Sequence, residues 1–325
     1  MKAALIQTSP VFLNLDQSLE KAKNLMGQAA QNGADLVVFP ETWLPGYPVW
    51  LDNSREAAMW NHPGAKALYR ILFDNSLKLG SKNFHELWNA GKKYGVDFVM
   101  GCHEVDGLTI YNSMIFFPSK KEGKASIHRK LMPTYNEKLI WGQGNGKFLG
   151  TMETDAGTLG GLICWEHWMP LARAALHAKK EVIHVAQWPS VIDLHQLASR
   201  HYAFEGRCFV LACGSVLHHD QVMKGFDSLN LNETYARQML KDLIPGDGGF
   251  VMTGGGAVIG PDAGYVMEPV YKKEGILYAN LDFDLIKEAA MVLDTDGHYA
   301  RPDIFSLHVN ARPAQHVEFI RKEHH

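Results

Sequence analysis

The segment Leu36-Val37-Val38-Phe39 is apolar at every position and rich in β-branched residues. A strand of that composition has no face to offer water, so it must lie in a sheet covered on both sides. Other strand-like runs recur at Ala3 to Gln7, Asp97 to Gly101, Ile110 to Phe117, Leu159 to Ile163, Glu181 to Ala186, Phe209 to Cys213, Ala257 to Ile259 and Gly275 to Leu281. Between them, Leu15, Leu19, Ala22, Leu25, Met26 and Ala29 recur at three- and four-residue intervals and predict a helix from Leu15 to Asn32, ended by Asn32-Gly33. Further helices are predicted around Phe84 to Tyr94, Leu171 to Ala178, Leu194 to Glu205 and Thr234 to Leu243. Strands alternating with helices, and no linker between them, predict one α/β unit. With 325 residues, 46% of them hydrophobic, the chain can bury a substantial core.

Two of these segments stop at a reactive side chain, and a third candidate follows another of them. The run Leu159-Gly160-Gly161-Leu162-Ile163 ends at Cys164, and Pro170 then opens a helix, a strand-to-helix corner that suits a nucleophile. Unpaired N–H groups and the helix dipole near such a start stabilise a thiolate. Cysteine is also among the most buried residue types, so the corner alone does not settle its role. The Leu36 strand ends at Pro40-Glu41, and open α/β sheets place ligand chemistry at the carboxyl ends of their strands. Lys130 closes the basic triplet His128-Arg129-Lys130, a pattern that ordinarily marks a solvated face.

Phe39-Pro40-Glu41-Thr42-Trp43-Leu44-Pro45-Gly46-Tyr47-Pro48, His128-Arg129-Lys130-Leu131-Met132-Pro133-Thr134 and Cys164-Trp165-Glu166-His167-Trp168-Met169-Pro170-Leu171 resemble, in order, the three signature segments of the nitrilase branch of the carbon–nitrogen hydrolase superfamily. The resemblance extends to Lys2 to Gln7 and to Leu293 to Asp303. It implies a four-layer α-β-β-α sandwich, with residues 1–305 as one catalytic domain and residues 306–325 as a tail that contacts other copies. It makes Glu41 the general base, Lys130 the electrostatic stabiliser, Cys164 the nucleophile and Glu137 a second glutamate beside them. Three positions depart from the pattern: Asn136 where a His is expected, Lys138 for Arg, and Gly144-Asn145-Gly146 for Gly-Asp-Gly.

Chemistry explains the combination. A nitrile carbon is a poor electrophile, so the sulfur must attack as a thiolate or become one, with Glu41 taking its proton. Lys130 would stabilise charge on the nitrile nitrogen as an oxyanion hole does. A thioimidate and then a thioester follow, and the products are a carboxylic acid and ammonia, with no metal or organic cofactor. The flank Cys164-Trp165-Glu166-His167 resembles the nitrilase and cyanide-degrading form. An amidase using the same triad remains an alternative, and a catalytically silent scaffold is opposed by the intact Glu41, Lys130 and Cys164. Tyr47, Tyr135, Trp165 and Trp188 are candidates for the wall of an apolar substrate pocket, roofed by the loop Trp43 to Trp60.

Net charge is −3, with no basic stripe, which gives no footprint for nucleic acid. No apolar run approaches about 18 residues, and no leader precedes Lys2 to Ile6, so a cytoplasmic protein off the membrane is expected. Cys102, Cys164, Cys208 and Cys213 lack metal-binding spacing and are expected as free thiols. Gly142 to Lys147 fails the Walker spacing and Gly254-Gly255-Gly256 the dinucleotide pattern, so both are read as turns. The stretch Ser215 to Gly249 reads as a surface insertion, and the resemblance makes it and the tail interface candidates in a homo-oligomer.

Overall fold

The computed structural model describes residues 1–120 and 122–312. Its strands are β1 (Lys2–Gln7), β2 (Leu36–Val38), β3 (Asp97–Asp106), β4 (Thr109–Phe117), β5 (Ser126–Arg129), β6 (Met152–Thr154), β7 (Gly157–Ile163), β8 (Glu181–Gln187), β9 (Phe209–Cys213), β10 (Val216–His218), β11 (Phe250–Ile259), β12 (Tyr265–Tyr271) and β13 (Gly275–Asn280). One sheet runs β13-β1-β2-β3-β4-β5, and the other runs β10-β11-β9-β8-β7-β6 with β12 on β11. Each contains a parallel triplet, β1-β2-β3 in the first and β7-β8-β9 in the second.

Alternation along the strands builds the layers. Ala4, Ile6, Val37, Phe39, Phe98, Met100 and Ile115 pack with the helices Leu15–Gln31 and Lys82–Tyr94. Their neighbours Ala3, Leu5, Leu36, Val38, Val99, Met114 and Phe116 join the core of the second sheet. Ala172, Leu176, Ala198, Tyr202 and Ala203, from the helices Pro170–His177 and Asp193–Gly206, belong to that same core. The result is the expected α-β-β-α sandwich. Where the two sheets meet, glycine matters: a Cβ on Gly161 would lie 2.6 Å from Met114 Sδ. Caps follow the sequence, with Asn14 accepting from Gln17 N, Ser81 from Phe84 N, and Gly95 at φ 67° closing its helix.

Several elements differ from expectation. Strand β3 runs past Gly101 to Asp106, into the hairpin that the dipeptide Asp106-Gly107 predicts, with antiparallel pairing to β4 through to Asp106 opposite Thr109. Gly254 to Gly256 lie inside β11, where the register shifts, and not in a turn; Gly254 and Gly255 have φ of 76° and 85°, which glycine adopts freely. A helix at Pro63–Asp74 follows the roof loop. The stretch Ser215 to Gly249 holds the helices His219–Asp227 and Thr234–Lys241, whose Val222, Phe226, Met239 and Leu240 pack with Leu68, Ile71 and Leu72 in a third core. It is therefore folded onto the body of the molecule. Of the tail, residues 313–325 lie outside the described residues. Among the described residues no helix is long and apolar enough to cross a membrane.

Candidate active site

Two strand ends of the first sheet and one of the second supply the charged centre. Glu41 follows β2, Lys130 follows β5, and Cys164 follows β7. Lys130 Nζ donates to Glu41 Oε1 at 3.0 Å and to Glu137 Oε2 at 2.7 Å. Oxygen atoms of Glu41 and Glu137 and the sulfur of Cys164 lie within 4.8 Å of one another. All four residues are buried. Three such donors could enclose a cation, but the Lys130 ammonium already occupies the charge position between the two carboxylates.

Neighbouring groups set the orientation of each side chain. Asn112 Nδ2 donates to Glu41 Oε1 at 2.7 Å, while Glu41 Oε2 has no partner among the described residues. Glu137 Oε2 also accepts from Thr134 N at 2.6 Å, and Glu137 Oε1 from Tyr47 OH at 3.1 Å. Lys130 N donates to Asn112 O, and Gly144 N to Lys130 O, both at 2.8 Å. A Cβ on Gly144 would meet Arg129 O at 2.1 Å, and one on Gly101 would meet Pro40 O at 2.0 Å, so both glycines let the site-bearing chain pass close by. Thr42, Tyr135 and Cys164 have φ of 46°, 44° and 57°, a left-handed conformation costing about 1–3 kcal/mol each that clusters at functional sites.

One carboxylate joins the two sheets at this point. Glu166 accepts from Leu131 N at 2.6 Å and from Ile163 N at 2.7 Å, the residues beside Lys130 and Cys164, and lies 2.7 Å from His128 Nε2. The His128-Arg129-Lys130 triplet is thus buried and not a solvated face. His128 pairs with Glu166, Arg129 with Glu104 and Asp106, and Lys130 with Glu41 and Glu137.

Burial dominates the proton affinities. It raises the Glu41 carboxyl to about 7, with Lys130 opposing and Glu137 adding to the rise. Burial, reinforced by Glu41 and opposed by Lys130, holds the Cys164 thiol well above its usual range. This corrects the expectation of a helix-stabilised thiolate: the turn Cys164–Trp168 separates the sulfur from the helix Pro170–His177. Lys130 and, more weakly, the Trp165 N–H act in the expected direction without offsetting burial. Burial opposes charge on Lys130, but Cys164, Glu41 and Glu137 more than offset it and hold its ammonium above the usual lysine range.

Cys164 and Glu137 open onto a cavity of about 300 Å³ lined also by Tyr47, Asp52, Thr134, Tyr135, Trp165, Ser190, Ile192, His195 and Met252. Of the four aromatic wall candidates, Tyr47, Tyr135 and Trp165 lie there. Trp188 does not: it is fully buried, stacked at 4.8 Å on His167 and at 4.1 Å on His195, and so backs the wall instead of forming it. The roof loop contributes residues 47 to 53, pinned from below where His103 Nε2 meets Gly46 O at 3.0 Å, whereas Trp60 is 93% exposed. Of the departures, Asn136 Nδ2 donates to Leu51 O at 3.1 Å across the rim and Lys138 is exposed. Asn112, Glu166 and His128 were not assigned as site residues; Glu166 and His128 carried a signal, each lying two residues from a reactive side chain within a signature segment, and Asn112 carried none.

The family model for carbon–nitrogen hydrolase matches residues 2–291. A nitrilase of Pseudomonas syringae is 36% identical over 96% of this chain and 90% of its own length. An aliphatic nitrilase of Rhodococcus rhodochrous is 35% identical over 98% of this chain and 82% of its own. A crystal structure of a carbon–nitrogen hydrolase from Helicobacter pylori shares the fold at TM-score 0.64 and 19% identity, covering 90% of this chain and 92% of that one. With its sandwich fold and its sequence matched over nearly the whole length, the chain belongs to the carbon–nitrogen hydrolase family.

Proposed function

We propose that this protein hydrolyses an organic nitrile to a carboxylic acid and ammonia, with Cys164 as nucleophile. The observation that carries the reading is the Lys130 ammonium held between Glu41 and Glu137, with the Cys164 sulfur beside both carboxylates and opening onto a small cavity. Glu41, with a free oxygen and a proton affinity near neutrality, takes the thiol proton as sulfur adds to the nitrile carbon. Lys130 stabilises the charge that develops on nitrogen. The nitrogen is protonated and a thioimidate results. Water, activated by one of the glutamates, adds to its carbon, ammonia leaves, and a second water hydrolyses the thioester. One nitrile and two waters thereby give one acid and one ammonia.

The similarity to nitrilases over nearly the whole chain favours a nitrile over an amide. Tyr47, Tyr135 and Trp165 make an apolar wall that suits an aromatic or arylaliphatic nitrile. Residues 1–305 form the catalytic unit in this reading, and residues 306–325 with Ser215 to Gly249 serve contacts in a homo-oligomer. Tyr235 and Ile244, 65% and 78% exposed, support that use of the inserted segment. Four free, buried cysteines suit a reducing cytoplasm. The test is ammonia release from matched aliphatic, aromatic and arylaliphatic nitriles and their amides. Faster release from an arylaliphatic nitrile than from its amide is expected; turnover of amides alone would replace the nitrile by an amide.

A further inference from the structure

None of four buried polar side chains behind the nucleophile lines the cavity, yet they form an unbroken hydrogen-bonded line that ends on it. Tyr202 OH donates to Glu181 Oε2 at 2.6 Å, and Glu181 Oε1 lies 3.2 Å from His184 Nδ1. His184 Nε2 lies 3.1 Å from His167 Nε2, and His167 Nδ1 lies 2.7 Å from the carbonyl oxygen of Cys164. All four residues are buried, the most exposed being Glu181 at 5%.

Local sequence explains how the line forms. Residues three apart on a regular strand face opposite ways. Here the β7–β8 register shifts after Thr158 opposite Glu181, so that Leu159 faces Ile183, and the extra residue brings Glu181 and His184 to one side. Gly160 leaves the room: a Cβ there would lie 1.6 Å from Glu181 Oε1.

The direction of the line is fixed at its end. A carbonyl oxygen only accepts, so His167 Nδ1 carries a proton and, in a neutral ring, its Nε2 accepts. His184 Nε2 therefore donates and its Nδ1 accepts, which leaves Glu181 to donate as a protonated acid. Burial favours these forms, holding both imidazoles well below the usual histidine range and raising the Glu181 carboxyl to about 7. The carbonyl at the end belongs to the Cys164–Trp165 peptide, whose N–H acts to lower the proton affinity of the adjacent Cys164 sulfur. A hydrogen bond to an amide oxygen polarises the N–H of the same amide.

We propose that Glu181, His184 and His167 are positioning residues, an uncharged one-way hydrogen-bonded line that fixes and polarises the Cys164–Trp165 peptide so that its N–H stabilises charge at the attacking sulfur. The inference rests on Cys164 being the nucleophile, as proposed above. It also accounts for how Cys164 is kept at its left-handed φ of 57°.

The test uses the full chain and two measurements: steady-state nitrile hydrolysis, and the rate at which iodoacetamide alkylates Cys164, read by peptide mass spectrometry. Glu181→Leu and His184→Leu should lower kcat by about 10- to 100-fold, short of the roughly 10²–10³-fold loss of a whole oxyanion-hole donor. KM should change little, and alkylation should slow in parallel. Glu181→Gln, whose amide donates to His184 and accepts from Tyr202, should recover most of both rates. Wild-type rates in folded leucine variants, or a glutamine variant no better than leucine, overturn the proposal. If the leucine variants do not fold, His167→Asn keeps a donor for the Cys164 carbonyl without the rest of the line; reduced rates are expected and wild-type rates overturn it. Alkylation needs no nitrile, so an enzyme inactive on every nitrile would sink the functional reading while leaving this one measurable.

Discussion

Lys130 Nζ and Glu41 Oε1 lie 3.0 Å apart with both side chains fully buried, while the other Glu41 oxygen has no partner among the described residues. A carboxyl raised to about 7 is a base only when ionised. The wild-type kcat/KM should therefore fall about tenfold per pH unit below that value and level off above it. Ammonia release measured from pH 5 to 9 checks this, and a flat profile would remove Glu41 as the base. Glu41→Gln should lower kcat/KM by about 10²–10⁴-fold.

Cys164→Ala should fold and give neither acid nor ammonia, because it removes the thiol grouped with the Glu41 and Glu137 carboxylates, while Cys102, Cys208 and Cys213 are fully buried outside that group. Mass spectrometry of the wild type during turnover should find an acyl adduct on the Cys164 peptide alone.

Lys130→Leu removes the cation that two buried carboxylates share. Breaking a buried pair this way costs about 3–5 kcal/mol. Urea unfolding should show that loss, and activity should fall by about 10²–10³-fold.

His128 and Glu166 form a second buried pair, 2.7 Å apart. Glu166, together with a hydrogen bond to the Phe148 carbonyl, raises the His128 proton affinity against burial, and His128, together with hydrogen bonds from the Leu131 and Ile163 N–H groups, lowers that of Glu166 against burial. A raised histidine stabilises the fold below its unfolded value of 6.5 and loses that effect as pH rises through the folded one. A lowered glutamate stabilises above 4.5 and loses that effect as pH falls through the folded one. The stability gap between wild type and Glu166→Gln should be widest between those two pH values and narrow on either side. Thermal unfolding across pH 3–9 checks it, and a gap independent of pH would deny the pair its charge.

Gly144→Ala should destabilise by about 1–3 kcal/mol and lower kcat, since the added methyl would push Arg129 O and with it the end of β5 that carries Lys130. Unfolding and turnover should fall together; an unchanged enzyme would mean that the chain moves aside freely.

Much of this molecule was legible along the chain because its signals are local. Leu36 to Phe39 is apolar at both strand faces, and Leu15 to Ala29 repeats at helical spacing, so the elements and their approximate ends follow from one stretch at a time. Glu41 and Cys164 stood out for the same reason, each ending an apolar run, whereas Lys130 in its basic triplet and Glu137 stood out only through the resemblance. Gly254 to Gly256 misled because three glycines carry no pattern that separates a bulged strand from a turn, and only pairing with β9 and β12 decides between them.

By itself, then, the sequence determined which segments become strands and helices and which chemical groups stand at their ends, since periodicity and side-chain identity are properties of neighbours in the chain. Only the tertiary structure decided that Lys130 would sit between Glu41 and Glu137, that Arg129 would turn away to Glu104, that Trp188 would back the cavity wall, and that the Cys164 thiol would hold its proton. Those outcomes depend on burial and on charges brought from distant parts of the chain, and desolvation and Coulomb energies exist only once the two sheets have closed on one another.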